Sequence, residues 1–454
     1  MDRANQSPDN QGPLLEVADL AFIHPGQRQP TLQDICLTLH PGELVVLAGA
    51  TGSGKSTLLN CLTGIAPEHT GGKLSGSVRY RGEEISAWSL RQRSQIMGIL
   101  LQNVETQIFT DRVEEEIVFG LENWNLPPGK IQDFTQAALL EFDLVEQKDW
   151  PIRQLSAGQK QRLLLACLLA QTPDLLLLDE PFAFLDRAGV QLLLQRLKQQ
   201  VEQGRTVLLI EHRLELLQEA CDRAYHLESG CLTPLDLSTL PPSPIPAPAA
   251  IAAPESQPIL RTHHLSWGGY PSFPNLEIAP GETVWLRGEN GCGKTTLLRL
   301  ISGLLKPTTG RIQIQEQDTT RQSVVQISRT VGFVLQNPNH QLFAESVVAE
   351  VQQPGVASDR TQQLLQQLNL SHCAERHPHA LSQGQKRRLA LGAVLARQPK
   401  ICLLDEIMVG QDATSLKLML DALNAFTQSG GTLIFTSHDP SVVAVLNPRI
   451  IAIG

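Results

Sequence analysis

The chain has little that would tie it, on its own, to a membrane, a metal cluster or a nucleic acid. Its most apolar region, Leu163 to Leu178, is broken by Gln171, Pro173 and Asp174, whereas a bilayer span needs about 20 mostly apolar residues. Met1 to Pro13 is polar, has no signal-peptide core and reads as a disordered tail. The eight cysteines are scattered, with no C-x-x-C pair and no zinc-like spacing. That pattern argues against structural disulfides and for a reducing cytoplasm. The net charge is −9 and no basic stretch exceeds Lys386-Arg387-Arg388, the reverse of a nucleic-acid footprint. Hydrophobic residues at 42% and charged residues at 18% over 454 positions are ordinary globular values and allow two or more domains. If the protein serves a membrane process, another chain is expected to supply the membrane part.

What is there is a loop. Gly49-Ala50-Thr51-Gly52-Ser53-Gly54-Lys55-Ser56-Thr57 follows the apolar run Leu44 to Leu47, read as a buried strand, and precedes Leu58 to Leu62, read as a helix start. Strand, G-x-x-x-x-G-K-[ST] and helix, in that order, are what a phosphate-binding loop requires. Glycines let successive N–H groups turn inward around an anion, and the helix N-terminus adds partial positive charge. Lys55 is then placed to reach the β- and γ-phosphates, and the Ser56 hydroxyl to hold Mg²⁺. The pattern returns as Gly288-Glu289-Asn290-Gly291-Cys292-Gly293-Lys294-Thr295-Thr296.

The repeat organises the chain. The loop lysines Lys55 and Lys294 are 239 positions apart (294 − 55). Leu101-Gln102-Asn103 with Gln107-Ile108-Phe109 returns as Leu335-Gln336-Asn337 with Gln341-Leu342-Phe343, offset 234 (336 − 102). Leu155-Ser156-Ala157-Gly158-Gln159 returns as Leu381-Ser382-Gln383-Gly384-Gln385, offset 226 (382 − 156), an offset that Asp179-Glu180 with Asp405-Glu406 and His212 with His438 keep. Between the copies, 233–258 carries eight prolines and reads as an extended linker. The expected units are therefore 14–232 and 259–454. Short apolar runs such as Val207 to Ile210 and Leu433 to Phe435 alternate with helical stretches such as Val190 to Gln203 and Thr361 to Leu368. The fold class predicted is α/β, with a mostly parallel sheet in each copy.

Leu175 to Leu178 runs straight into Asp179-Glu180, and Ile401 to Leu404 into Asp405-Glu406. Ligands of open α/β sheets bind beyond the carboxyl ends of the strands, so these acids are expected to face the phosphate loops. The aspartates suit a Mg²⁺ shell, and the glutamates suit polarising a water that attacks the γ-phosphate.

Phosphate loop, Leu-Ser-x-Gly-Gln, hydrophobic-Asp-Glu and a final His, in that order, resemble the ABC ATPases, once per copy. The resemblance implies tandem P-loop NTPase domains, each with a helical subdomain, that bind and hydrolyse ATP with Mg²⁺. It implies that Ser156, Gly158 and Gln159, or Ser382, Gly384 and Gln385, open a helix facing an ATP held by the other copy. Lys160, Arg162 and Lys386 to Arg388 then fall on the first turns of those helices, where a solvated basic face is expected. Gln102 and Gln336 match the glutamine that meets Mg²⁺ and the attacking water; His212 and His438 match the histidine that contacts the γ-phosphate. Asp186 and Asp412 match an aspartate that crosses between copies. His24 or Phe22, and Trp267 or Tyr270, fall where an aromatic stacks on adenine. Ile407 departs from the pattern, standing where copy one has Pro181.

Gln336-Asn337-Pro338-Asn339-His340-Gln341-Leu342-Phe343 is similar to the Gln-x-Pro-x-x-Gln-(Ile/Leu)-Phe sequence of the energy-coupling-factor group of vitamin and metal importers. Copy one has Val104 in place of the proline but keeps Gln107 and Phe109. Glu211-His212-Arg213 and Gly410-Gln411-Asp412 resemble the two different ATPase subunits of such systems, so the chain reads as their fusion. This resemblance implies a membrane transporter subunit and a small substrate-binding membrane subunit as partners, no nucleic acid, pairing of the domains within the chain, and a peripheral position on the cytoplasmic face. The acids of Val113 to Asn123 are either a solvated face or a seat for basic helices of that partner. Two other readings stay open: the fused ATPase of a sugar-type importer, and a soluble tandem ABC protein acting on ribosomes, whose linkers are usually charged and helical.

Overall fold

In a computed structural model the described residues are 12–50, 52–102, 104–124, 126–183, 185, 187–239, 257–268, 272–289, 291–408, 411–437 and 439–453. Thr51, Asn290 and His438 lie outside them, as do Asp186, Tyr270, Gly410, the start of the tail and most of the linker. The chain divides into two units, Met1–Pro241 and Pro242–Gly454.

Continuous apolar runs become buried strands because both sheet faces are covered. In the first unit the strands lie in the order Cys231–Leu235, Arg223–Glu228, Leu44–Ala48, Thr206–Ile210, Leu175–Asp179, Met97–Leu100. The pairs are parallel except the first, at the edge. Successive side chains alternate between two cores. Val46, Leu176, Leu178 and Leu209 join one, with Ile117, Leu139 and Leu163 of the helical subdomain. Leu47, Leu175, Leu177 and Ile210 join the other, with Leu58 and Leu62 behind the phosphate loop. A four-stranded antiparallel sheet, Leu32–Leu39, Leu15–Ile23, Lys73–Tyr80, Glu83–Glu84, adds Leu20, Phe22 and Ile35 to the second core.

The second unit repeats the plan with five parallel strands: Val331–Val334, Ile401–Asp405, Thr432–Thr436, Thr283–Arg287, Arg449–Ala452. A four-stranded antiparallel sheet accompanies it. Regular structure in the first unit continues past Leu232, where composition placed the start of the linker. Strand Cys231–Leu235 pairs with Arg223–Glu228, and Leu237 is buried in the first core. Pro234 is tolerated because its strand lies at the sheet edge. Among the described residues no helix is long and apolar enough to cross a membrane.

Candidate nucleotide site

The strand register gathers the predicted groups. Leu47 and Asp179 both pair with Ile210, so the phosphate loop, the Glu180 turn and the His212 turn leave the sheet side by side. Helix Lys55–Thr63 starts from Gly54 at φ 107, and its counterpart Lys294–Ile301 from Gly293 at φ 99, both left-handed and favouring glycine. Gly49 is required for a different reason: a Cβ there would sit 2.4 Å from Leu227 O. Gly288 is crowded alike, 2.3 Å from Ile453 O. Lys55 Nζ donates to Gly49 O at 2.7 Å and Ala50 O at 2.8 Å, and Lys294 Nζ to Gly288 O and Glu289 O at 2.7 and 2.8 Å. Both ammonium groups thus lie across their loops, where an anion would be cradled.

Ser56 Oγ donates to Asp179 Oδ2 at 2.7 Å, and Thr295 Oγ1 to Asp405 Oδ1 at 3.0 Å. A hydroxyl and a carboxylate held together are hard oxygen donors that fit Mg²⁺. Burial, and then the neighbouring Glu180 or Glu406, pushes each aspartate up to about 6, so a divalent cation would relieve an environment that disfavours the free carboxylate.

Glu180 and Glu406 take left-handed backbone, φ 52 and 50, a strain of about 1–3 kcal/mol typical of functional turns. Gln102 Nε2 donates to Glu180 Oε2 at 2.8 Å and His212 Nε2 lies 3.1 Å from Oε1. In the second unit Gln336 Nε2 donates to Glu406 Oε2 at 2.9 Å. The structure therefore brings Ser56 to Asp179, and Gln102 and His212 to Glu180. Glu180 is a carboxylate held between an amide and an imidazole, a geometry able to orient water and move its proton.

The Leu-Ser-x-Gly-Gln residues open separate helices, Ala157–Ala170 and Gln383–Ala396. Ser156 and Gln159 form a capping box, Gln159 Oε1 accepting from Ser156 N at 2.9 Å; Ser382 and Gln385 do the same at 3.0 Å. Each motif glutamine therefore has a local reason to be present, beside its expected place near nucleotide. One other expectation needs correction. Lys386, Arg387 and Arg388 are buried, not a solvated face. Lys386 donates to Asn339 Oδ1 at 3.1 Å and Arg388 to Ser415 Oγ, as buried cations require; burial lowers the pKa of Lys386. Asp412 is buried and caps helix Ala413–Gln428, accepting from Ser415 N and Ser415 Oγ at 2.9 Å each. Of the adenine candidates, Phe22 is core, whereas His24 Nε2 reaches Thr57 Oγ1 at 3.3 Å. Trp267 packs partly buried against the second unit's core.

The ABC transporter family model matches residues 32–183 and 273–409, spanning a phosphate loop and acidic strand in each unit. The chain belongs to the ABC transporter family. It is 33% identical over 515 residues to a Methanosarcina acetivorans protein named as an ABC transporter ATP-binding protein, covering 97% of this chain and 84% of that one. It is 32% identical over 481 residues to YkoD of Bacillus subtilis, named for HMP/thiamine import, covering 95% and 88%. Among solved structures, cbiO1 from Clostridium perfringens, part of the complex cbiONQ, aligns with half of the chain at 28% identity and a TM-score of 0.45. Ribosome-bound archaeal ABCE1 aligns over 95% of the chain at 20% identity with a TM-score of 0.68, a likeness of fold. As an ABC ATPase the chain uses ATP with Mg²⁺ and hydrolyses it.

One pair of residues in this ABC ATPase was missed in the sequence. Glu116 is buried and receives Phe109 N, Thr110 N and Thr110 Oγ1 at 3.1, 2.7 and 2.8 Å. Glu350 receives Phe343 N and Ala344 N at 2.8 Å each. Gln107 and Gln341 complete the clamp, accepting from Leu101 N and Leu335 N at 2.7 Å. The loop after Gln102, and that after Gln336, is thus tied at both ends, while Phe109 and Phe343 are 72% and 80% exposed. The usable signal was the spacing: a glutamate seven positions beyond the phenylalanine in both copies.

Proposed function

We propose that this chain is the ATP-driven motor of an energy-coupling-factor-like membrane importer for a vitamin or transition-metal ion. The observation that carries this reading is the clamped loop. It links Gln102 and Gln336, bonded to Glu180 and Glu406, to exposed Phe109 and Phe343. In the first unit Phe109, Phe119, Trp124, Leu90 and Glu116 line a recess of about 820 Å³. In the second unit a recess of about 240 Å³ is lined by Leu304, Val324, Phe333 and Glu350. Exposed aromatics of this kind mark protein contacts, and a membrane subunit is the partner proposed, with a small substrate-binding membrane subunit beside it. Similarity to YkoD supports the importer reading.

The protein then sits peripherally on the cytoplasmic face. Two ATPase domains, the first continuing through Leu237 and the second starting at 259, joined by the proline-rich segment, share each nucleotide between one phosphate loop and the other copy's Leu-Ser-x-Gly-Gln helix. Lys55 and Lys294 hold the β- and γ-phosphates, backed by N–H groups of Gly52, Ser53, Gly54 and Thr57 and of Gly291, Cys292, Gly293 and Thr296. Ser56 with Asp179, and Thr295 with Asp405, hold Mg²⁺, which neutralises developing phosphate charge when bound. Glu180 and Glu406 take the water's proton while Gln102 and Gln336 orient it, and His212 and His438 face the γ-phosphate.

Affinity purification from native membranes in mild detergent tests this reading. An integral membrane protein co-purifying with a small membrane subunit is expected. Recovery of ribosomal proteins, or of the chain alone, would overturn it.

A further inference from the structure

The residues that flank the motif histidine make different hydrogen bonds in the two copies. In the first unit Glu211 Oε1 accepts from His212 N at 2.9 Å and Arg213 N at 3.2 Å, folding the turn around its own carboxylate. Glu211 is buried and its Oε2 has no hydrogen-bond partner among the described residues. The Arg213 guanidinium reaches Phe182, two positions after Glu180. It donates to Phe182 O, lies 5.8 Å from the Phe182 ring centroid, and keeps its Nε 3.8 Å from Glu211 Oε1. Phe182 is wholly buried, and its carbonyl also accepts from Leu185 N at 3.1 Å. The segment carrying Glu180 is thus held ahead by Glu180 N to Ile210 O at 2.9 Å and behind by Arg213.

At offset 226 the second unit has Ser437, Asp439 and Met408 in place of Glu211, Arg213 and Phe182. Its corresponding turns are held from the strands. Trp285 Nε1 donates to Ser437 O at 3.1 Å, Glu406 N to Thr436 Oγ1 at 3.0 Å, and Thr436 Oγ1 to Asp405 Oδ1 at 3.1 Å. Asp439 N turns back on Ser437 Oγ at 3.0 Å.

We propose that Arg213 is a positioning residue for the first ATP site, setting the Glu180–His212 geometry through Phe182, whereas the matching position of the second copy is Asp439. Glu180 sits in strained backbone, so its carboxylate direction depends on what pins the following residues. A displacement near 1 Å at a reacting group costs rate more than binding. Arg213 makes the bond that prevents it, and Glu211 fixes the root of the Arg213 side chain. The inference rests on hydrolysis occurring at both sites.

Arg213→Met and Arg213→Lys are compared in the full chain, in the unaltered sequence and with either Glu406→Gln or Glu180→Gln silencing one site. With Glu406→Gln present, Arg213→Met is expected to lower kcat about tenfold with KM for ATP within twofold, and Arg213→Lys to recover about a third of the rate. With Glu180→Gln present, Arg213→Met is expected to leave the remaining turnover unchanged. A fall of equal size in both backgrounds, a rise in KM without a fall in kcat, or no effect would each overturn the assignment. If Glu406→Gln alone abolishes turnover, two-site hydrolysis fails instead. Arg213 is then judged in the unaltered sequence, where a lowered kcat at constant KM supports it and an unchanged kcat refutes it.

Discussion

Glu116→Gln isolates the clamp on the loop that bears Phe109. The change keeps the side chain's shape but leaves one acceptor oxygen where two served. Glu116 Oε2 accepts from Thr110 N at 2.7 Å, Thr110 Oγ1 at 2.8 Å and Phe109 N at 3.1 Å, and Oε1 lies 3.2 Å from Phe109 N. An amide NH₂ in the Oε2 place would meet donors with a donor. Turned the other way, it loses the second contact to Phe109 N and the negative charge. Hydrogen bonds to a charged group are each worth about 1.5–3 kcal/mol, and this side chain is buried. The loop is at the surface, with Phe109 72% exposed, so it can open to water and recover part of the loss. A local cost of about 2 kcal/mol is expected, equivalent to roughly 30-fold faster amide exchange for the loop where exchange follows the opening equilibrium. Hydrogen-exchange mass spectrometry on the full chain reads this directly in peptides spanning residues 105–120. Glu350→Gln should act alike at Phe343 and Ala344. Glu115→Gln, on the exposed side of the same helix, should change nothing. Exchange at Phe109 and Thr110 unaltered in folded Glu116→Gln, or raised equally throughout the unit, would refute the clamp.

Glu180→Gln and Glu406→Gln should each lower ATP turnover by about half and together abolish it, measured as phosphate release; a single substitution that leaves turnover intact while the other ends it would show that one site alone hydrolyses. Buried Cys61 and Cys402, whose thiols burial pushes up to about 12, should resist iodoacetamide at pH 8. Thiolate, the reacting form, is only about 1 in 10⁴ of each at that pH, and labelling should appear on unfolding, read by peptide mapping. Cys292 is partly exposed within the second phosphate loop. Its alkylation should block nucleotide binding at that site, and ATP should protect it; modification at the same rate with ATP present would show that the thiol faces away from the nucleotide.

Much of this was legible in one dimension because local geometry and chemistry coincide there. A phosphate loop is contiguous: glycines, Lys55 and Ser56 must stand between a strand and a helix, so a short window contains them. The duplicated order of Lys55, Gln102, Ser156, Asp179 and His212 with Lys294, Gln336, Ser382, Asp405 and His438 then identified two ABC ATPase copies. Strand burial was legible for the same reason, since four successive leucines at Leu175 to Leu178 need cover on both faces.

Contacts between distant residues were not. Gln102 and Glu180 are 78 positions apart and meet at 2.8 Å only because neighbouring parallel strands end together. A carboxylate such as Glu116 looks like its solvated neighbours Glu114 and Glu115 until the loop folds back onto it. Lys386, Arg387 and Arg388 look like a basic surface until the helix that carries them is buried. Charge in a sequence says what a side chain is; which partner removes it from water is decided by the packing of the strands and helices around it.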